Sequence, residues 1–282
     1  FGFWVIRGSG VRGAALASVG TQGLSAFIGI YLMFGNRFPV SLHLKDFKPD
    51  FKLIKEMVKL GFPSSIEQSA RSLGMTVMIF LVTGFGTTII AAYGIGSRIL
   101  SFVLIPAMGL SMSTSTLVGQ NMGAGKTERA ERIVKVSAAV GFAVLTLMGL
   151  LLFLYAQELS AFFIPGETAT IIASEHFIQI MALTFGFIGI QLVMNGAFRG
   201  SGSTKAAMVM TIVSLWVLRF PVAYYLSFHT SLNELGLWIS FPVSNILSAA
   251  MTTIWFYRGK WKEKDLTGRK EEKLKEVYAD SS

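Results

Sequence analysis

The chain has 282 residues, of which 52% are hydrophobic and only 15% charged, with a net charge of +9. Soluble domains carry about a quarter charged residues, so this balance points to a membrane protein rather than a soluble enzyme. The absence of cysteine excludes disulfide staples and thiolate chemistry, and His43, His176 and His229 are scattered with no metal-ligand spacing.

Seven apolar stretches follow in chain order, each with the roughly 20 residues that a bilayer core requires. They are span A, Val11–Phe34; B, Phe62–Gly84; C, Ile89–Leu117; D, Ala130–Tyr155; E, Thr170–Ala197; F, Ala206–Phe228; and G, Glu234–Tyr257. Small-residue runs such as GAALASVGTQG in A and GLSMSTST in C suit close helix contact in lipid. In water they would make poor helices, because each interior glycine costs about 1 kcal/mol.

The cations set the orientation. Arg37 and the lysines at 45, 48, 52, 55 and 59 lie between A and B. Lys126, Arg129, Arg132 and Lys135 flank the C–D junction, Arg199 and Lys205 flank E–F, and a basic run from Arg258 to Lys275 follows G. The B–C, D–E and F–G connections hold no lysine or arginine. This alternation places the basic loops and the C-terminal tail in the cytoplasm of a multi-pass cell-membrane protein. It also explains the positive charge as topology, without a nucleic-acid partner. Trp255, Tyr257 and Trp261 fall where an inner aromatic belt belongs.

Between A and B, Phe47, Phe51, Ile54, Met57 and Val58 recur at helical spacing opposite lysines, the pattern of an amphipathic helix at the membrane surface. An ordinary solvated linker gives the alternative reading. Pro63 is expected in the first turn of span B, where its missing N–H does no harm. The tail beyond Lys262 is too charged and too poor in apolar residues to form a core.

VGQNMGAGKTERAERI, from Val118 to Ile133, contains Gly-Lys-Thr and raises the question of a phosphate loop. That loop needs glycine five residues before Gly125-Lys126, where Gln120 stands, and Gly119 is one residue too far back. It also needs a preceding strand, and here a membrane helix precedes it. The structural reading is a helical hairpin turn. Gly123 and Gly125 end span C, Lys126 anchors the interface, Thr127 caps span D, and Glu128 and Glu131 favour its N-terminal dipole. Asn195-Gly-Ala-Phe-Arg-Gly-Ser-Gly-Ser-Thr-Lys205 joins E to F by the same chemistry, with Arg199, Gly200, a threonine cap and Lys205.

GQNMGAGK and NGAFRGSGSTK, each between two spans, resemble the MATE family of multidrug and toxic compound extrusion transporters. GVRGAALASVGTQ in span A and IAAYGIGSRI in span C do so too. The resemblance covers about Gly10 to Tyr257 and corresponds to family spans six to twelve. It implies an all-α polytopic membrane protein: a six-helix lobe (62–257), the last helix of a preceding lobe (1–34), a linker (35–61) and a basic tail (258–282). The non-Met start fits a fragment lacking the first five spans. The implied function is secondary export. Two lobes rock about a central cavity, and amphipathic, often cationic compounds leave in exchange for Na⁺ or H⁺. No cofactor beyond the coupling ion is implied, and the full-length protein is expected to act as a monomer. A lipid-linked oligosaccharide flippase of the same superfamily is the alternative. A membrane scaffold has little use for charges inside its spans.

Ionisable groups within spans are candidates for function. They are Glu67 and Arg71 in B, Arg98 in C and Arg219 in F. Glu67 can carry a proton, ligate Na⁺ or attract a cation, with Gln68, Gln191 and Asn195 as neutral partners. Equally, Glu67 and Arg71 stand i, i+4 and can neutralise each other. Arg219-Phe220-Pro221 joins a deep cation to a proline expected to bend the helix, with a buried cation simply held by carbonyls as the alternative. Within the resemblance, the NorM branch carries acids at positions that fall on Arg71 and near Ile188, so this chain departs at both. A second branch has its acid in the first span. Met75, Met78, Met181, Met194, Phe80, Phe185 and Phe187 are candidates for a promiscuous apolar cavity, or simply face neighbours and lipid. Glu175-His176 is a candidate outer relay or a wetted pair.

Overall fold

The structure is a computed structural model that describes residues 10–34 and 49–263. All regular structure among these residues is helical. Arg37, Lys45, Phe47, Lys48 and the tail beyond residue 263 lie outside the described residues. Among the described residues, five helices are long and apolar enough to cross a membrane, and one bent helix pair makes a sixth.

Gly10–Phe34 forms the first helix, α1, and belongs to the first of two compact units. Thr21 and Ser25 donate their hydroxyls back to Ala17 and Thr21 carbonyls at 2.7 and 2.8 Å, so neither leaves a polar group bare in lipid.

The second unit starts within α2, Phe51–Thr83. Asp50 caps this helix, its Oδ1 accepting the Lys52 and Leu53 amides at 2.9 and 3.1 Å. The amphipathic stretch and span B are therefore one helix of 33 residues, and Pro63 sits inside it rather than in a first turn. The helix start expected at the Gly61-Phe62-Pro63 junction lies instead at Asp50, which supplies the cap. Glu67, Arg71 and four serines also keep α2 outside the set of apolar crossing helices.

The next helices are α3, Thr87–Gly123, and α4, Thr127–Leu154. They are followed by the short α5, Ala156–Phe163. Span E divides into α6, Thr168–Ala182, and α7, Phe185–Gly200, bent by 54°. The cause is Thr184, whose hydroxyl donates back to the Met181 carbonyl at 3.1 Å and accepts Asn245 Nδ2 at 3.2 Å. Such local side-chain bonding offers the backbone an exit from the helix.

Span F comprises α8, Thr204–Ile212, a π-helical segment, Val213–Arg219, and α9, Phe220–Phe228. Just ahead of Pro221, where a bend is expected, the structure shows a change of register within one 25-residue span. The Phe220 amide donates five residues back to the Leu215 carbonyl, which widens the turn just ahead of the proline ring. Helix α10, Glu234–Tyr257, closes the unit, and a single 3₁₀ turn, Lys260–Glu263, follows it. Trp261, expected in an inner aromatic belt, packs into the protein interior. It is buried, stacked on Phe256 with centroids 5.1 Å apart, and its Nε1 donates to the Phe256 carbonyl at 3.0 Å.

Helix α7 is the centre of the lobe and packs against both α3 and α4. In lipid there is no hydrophobic drive between helices, so close backbone contact carries the association. Glycines make it possible. A Cβ at Gly189 would lie 2.6 Å from the Gly141 carbonyl of α4, and one at Gly196 or Gly200 would overlap the Ser111 or Ser115 carbonyl of α3. Gly119 and Gln120 lie within α3, and Gly196 to Gly200 within α7, so most of each expected loop motif is helix.

The two hairpin turns share one geometry. Gly125 and Gly202 have φ of 73° and 74°. Lys126 and Ser203 amides reach back to the Asn121 and Phe198 carbonyls at 2.8 and 2.7 Å, while Gly125 and Gly202 amides reach Met122 and Arg199 at 3.0 Å. These are paired Schellman turns. Thr127 and Thr204 do not cap. Each is the first residue of its helix, and Lys126 and Ser203 hold the cap positions without a side-chain cap bond. Gly125→Ala is expected to cost about 1 kcal/mol, because a side chain is strained at positive φ. Gly123→Ala, at a helical glycine with open space around it, is expected to be neutral or stabilising. Thermal midpoints in detergent check the pair, and equal shifts would refute the strained-turn account.

Candidate functional site

A set of polar residues in the lobe forms a seam along α8 and the π segment. Its first level surrounds Glu67, which is 3% exposed. Glu67 Oε1 accepts Arg71 Nη2 at 3.0 Å, Arg199 Nη1 at 2.9 Å and Thr211 Oγ1 at 3.2 Å. Arg199 Nη2 also donates to Ser111 Oγ at 3.2 Å, and Ser111 Oγ donates to the Leu192 carbonyl at 2.6 Å. One carboxylate oxygen therefore gathers α2, α7 and α8, and Arg199 extends the link to α3.

The sequence pairing of Glu67 with Arg71 is present. Arg199 was expected only as a turn residue, yet it stands in the last turn of α7 and turns inward. The α3 backbone lies hard against Gly196 and Gly200, and that approach brings Arg199 within reach of Ser111.

Along α7, Gln191 and Asn195 are one turn apart and face the same way. Asn195 Nδ2 donates to Thr211 at 3.5 Å, while its buried Oδ1 has no partner among the described residues. Gln191 Nε2 donates to Ser214 at 3.3 Å, and Ser214 also bonds Ser248 of α10.

The last level holds Arg219. Its Nε donates to Ser244 Oγ at 2.8 Å and its Nη2 to Asn245 Oδ1 at 2.7 Å, and it rests on the Phe241 ring at 4.7 Å. All three contacts are neutral. The π turn explains why Arg219 joins the seam. Residues five apart differ by about 140° around an α-helix, but a turn closed five residues back sets them nearly one above the other. Ser214 and Arg219 thus face the same side.

Several sequence candidates stand apart. Gln68 is exposed on α2, away from the carboxylate, and Arg98 is exposed on α3 with no hydrogen-bond or ion-pair partner among the described residues. Gln120, Lys126 and Lys205 are exposed at the two hairpins. Met78, Met181 and Phe185 are packed in one core cluster and Met194 in another, so they do not form the apolar cavity considered above. Met75 and Phe80 are exposed. Glu175 accepts Gln179 Nε2 at 3.2 Å, and His176 is exposed beside it. Ser111, Thr211, Ser244 and Asn245 were missed. The adjacent Ser244-Asn245 pair in an apolar span was the available signal, since amides in spans seek partners on other helices.

The Gly-Lys-Thr stretch joins two helices, with no strand before it among the described residues. It lacks the framework of a phosphate loop.

A family model described as MatE matches residues 63–225, which is more than half of the chain. The chain belongs to the MatE family. A MatE relative named probable multidrug resistance protein NorM, from Thermotoga maritima, is 30% identical over 98% of this chain and 59% of its own length. Another, named probable multidrug resistance protein YoeA, from Bacillus subtilis, is 26% identical over 78% of this chain and 47% of its own. A solved outward-facing multidrug resistance MATE family transporter of the MOP superfamily has the same fold. Its TM-score is 0.85 at 22% identity, over 91% of this chain and 58% of that one. The chain therefore spans little more than half the length of the MatE proteins it matches, and it corresponds to their C-terminal part.

Proposed function

We propose that the full-length protein is a secondary multidrug exporter of the cell membrane. It moves amphipathic small molecules outward in exchange for Na⁺ or H⁺, and this chain supplies the second of two lobes that rock about a central cavity. The observation that carries this reading is a charge centre inside an apolar, membrane-spanning lobe, in a chain similar to named multidrug resistance proteins. A static anchor needs no such centre. Two guanidiniums beside Glu67 repel Na⁺, which favours a coupling site outside this lobe. The basic junctions favour a cytoplasmic tail, and a monomer without cofactor suffices for the cycle.

The test is reconstitution of the full-length transporter in liposomes with a fluorescent amphipathic dye. A Na⁺ gradient and a pH gradient are imposed separately. One of them is expected to drive dye accumulation against its gradient. Dye that equilibrates passively under both would defeat the export reading and favour lipid-linked oligosaccharide flipping.

A further inference from the structure

The seam is unbalanced in charge. Arg71, Arg199 and Arg219 line it, and Glu67 is the carboxylate that bonds two of them. Arg219 has no carboxylate partner among the described residues, and Arg71 stands just before Gly74 of α2, where a Cβ would lie 3.3 Å from the Phe220 ring next to Arg219. A guanidinium has five N–H donors, and Arg219 directs two of them to Ser244 and Asn245. Three remain. Arg219 as a whole residue keeps part of its surface open.

Depth makes this costly. Arg219 stands nine residues before Phe228, the end of its span, or roughly 14 Å along the helix axis. A cation so placed, with only neutral acceptors, is expensive unless an anion joins it. The placement is also built. The π turn rotates Arg219 into the seam, and the Thr184–Asn245 bond fixes the amide that orients it.

We propose that Arg219, with Ser244, Asn245 and the nearby Arg71, binds the anionic head group of an amphipath: a carboxylate, phosphate or sulfate. The guanidinium offers paired donors to two oxygens, and Arg71 adds a second positive charge. The cationic preference implied by family resemblance finds no unpaired carboxylate in the seam among the described residues. The proposal deepens the export reading, and it is tested by binding alone, so each can fail separately.

The full-length transporter is placed in nanodiscs of neutral phosphatidylcholine. Dodecyl phosphate and dodecyltrimethylammonium, which share a tail and differ in head-group charge, are titrated against intrinsic tryptophan fluorescence. Dodecyl phosphate is expected to bind at least tenfold more tightly. Arg219→Gln is expected to lose that tenfold preference, Arg219→Lys to keep part of it, and Arg71→Gln to lose severalfold. The Arg71→Gln arm keeps the proposal testable if Arg219→Gln fails to fold, as judged by size-exclusion. Phosphatidylglycerol added to the disc distinguishes the sources. Competition marks a lipid head group as the anion, and its absence marks a soluble acid. Equal binding of both amphipaths, or unchanged dodecyl phosphate binding in Arg219→Gln and Arg71→Gln, overturns the proposal.

Discussion

Glu67→Gln is expected to destabilise the lobe by about 3 kcal/mol. Breaking a buried ion pair by removing one partner costs about 3–5 kcal/mol. The lower end applies because the Arg71 and Arg199 side chains are 32% and 33% exposed. Glutamine keeps the shape and can still accept a bond, but it leaves two guanidiniums face to face without a counter-ion. A second change sharpens the expectation. Arg71→Gln in the Glu67→Gln background removes the repulsion and should recover about 1 kcal/mol, a coupling of the size seen for residues in one network. Thermal or denaturant unfolding of the full-length protein in detergent measures the cycle. A Glu67→Gln variant within about 0.5 kcal/mol of wild type would reduce the cluster to a surface-like pair.

The second large effect falls on α7. Gly196→Leu drives a side chain into the Ser111 backbone, and no flexible neighbour is there to yield, because the obstructing atom is a main-chain carbonyl. Overpacking of a well-filled contact costs about 1–3 kcal/mol, and separating two helix backbones raises this further. The same displacement carries Ser111 away from Arg199, so Gly196→Leu and Glu67→Gln should be less than additive. Yield and thermal midpoint of both single variants and the double variant test this. Full additivity would mean that helix contact and charge centre are independent.

The residues that were legible in sequence are those whose partners lie nearby in sequence. Span positions followed from apolar length, and Glu67 with Arg71 from their i, i+4 spacing. The twin glycine turns were legible because positive φ has a strong residue preference. Arg199 was not, since its role depends on α3 approaching the Gly196 face, and one-dimensional spacing says nothing of a third helix. The break at Thr184 carried no proline or adjacent glycine signal. Its cause is a hydroxyl whose partner, Asn245, lies 61 positions away. Pro221 was visible, but that the turn ahead of it widens is settled by what its neighbours can bond. Here Ser244 and Asn245 hold Arg219 in the widened form.

That widened turn has a consequence for heredity. A deep cation keeps its aim because the turn takes up one extra residue between Ser214 and Arg219. Loss of a single codon between them would leave the two residues four apart in an ordinary helical turn, which still sets them on one face. Substitutions that tighten this turn with no residue lost, more than deletions within it, would carry the guanidinium about 100° away from Ser244 and change which ligands the lobe accepts.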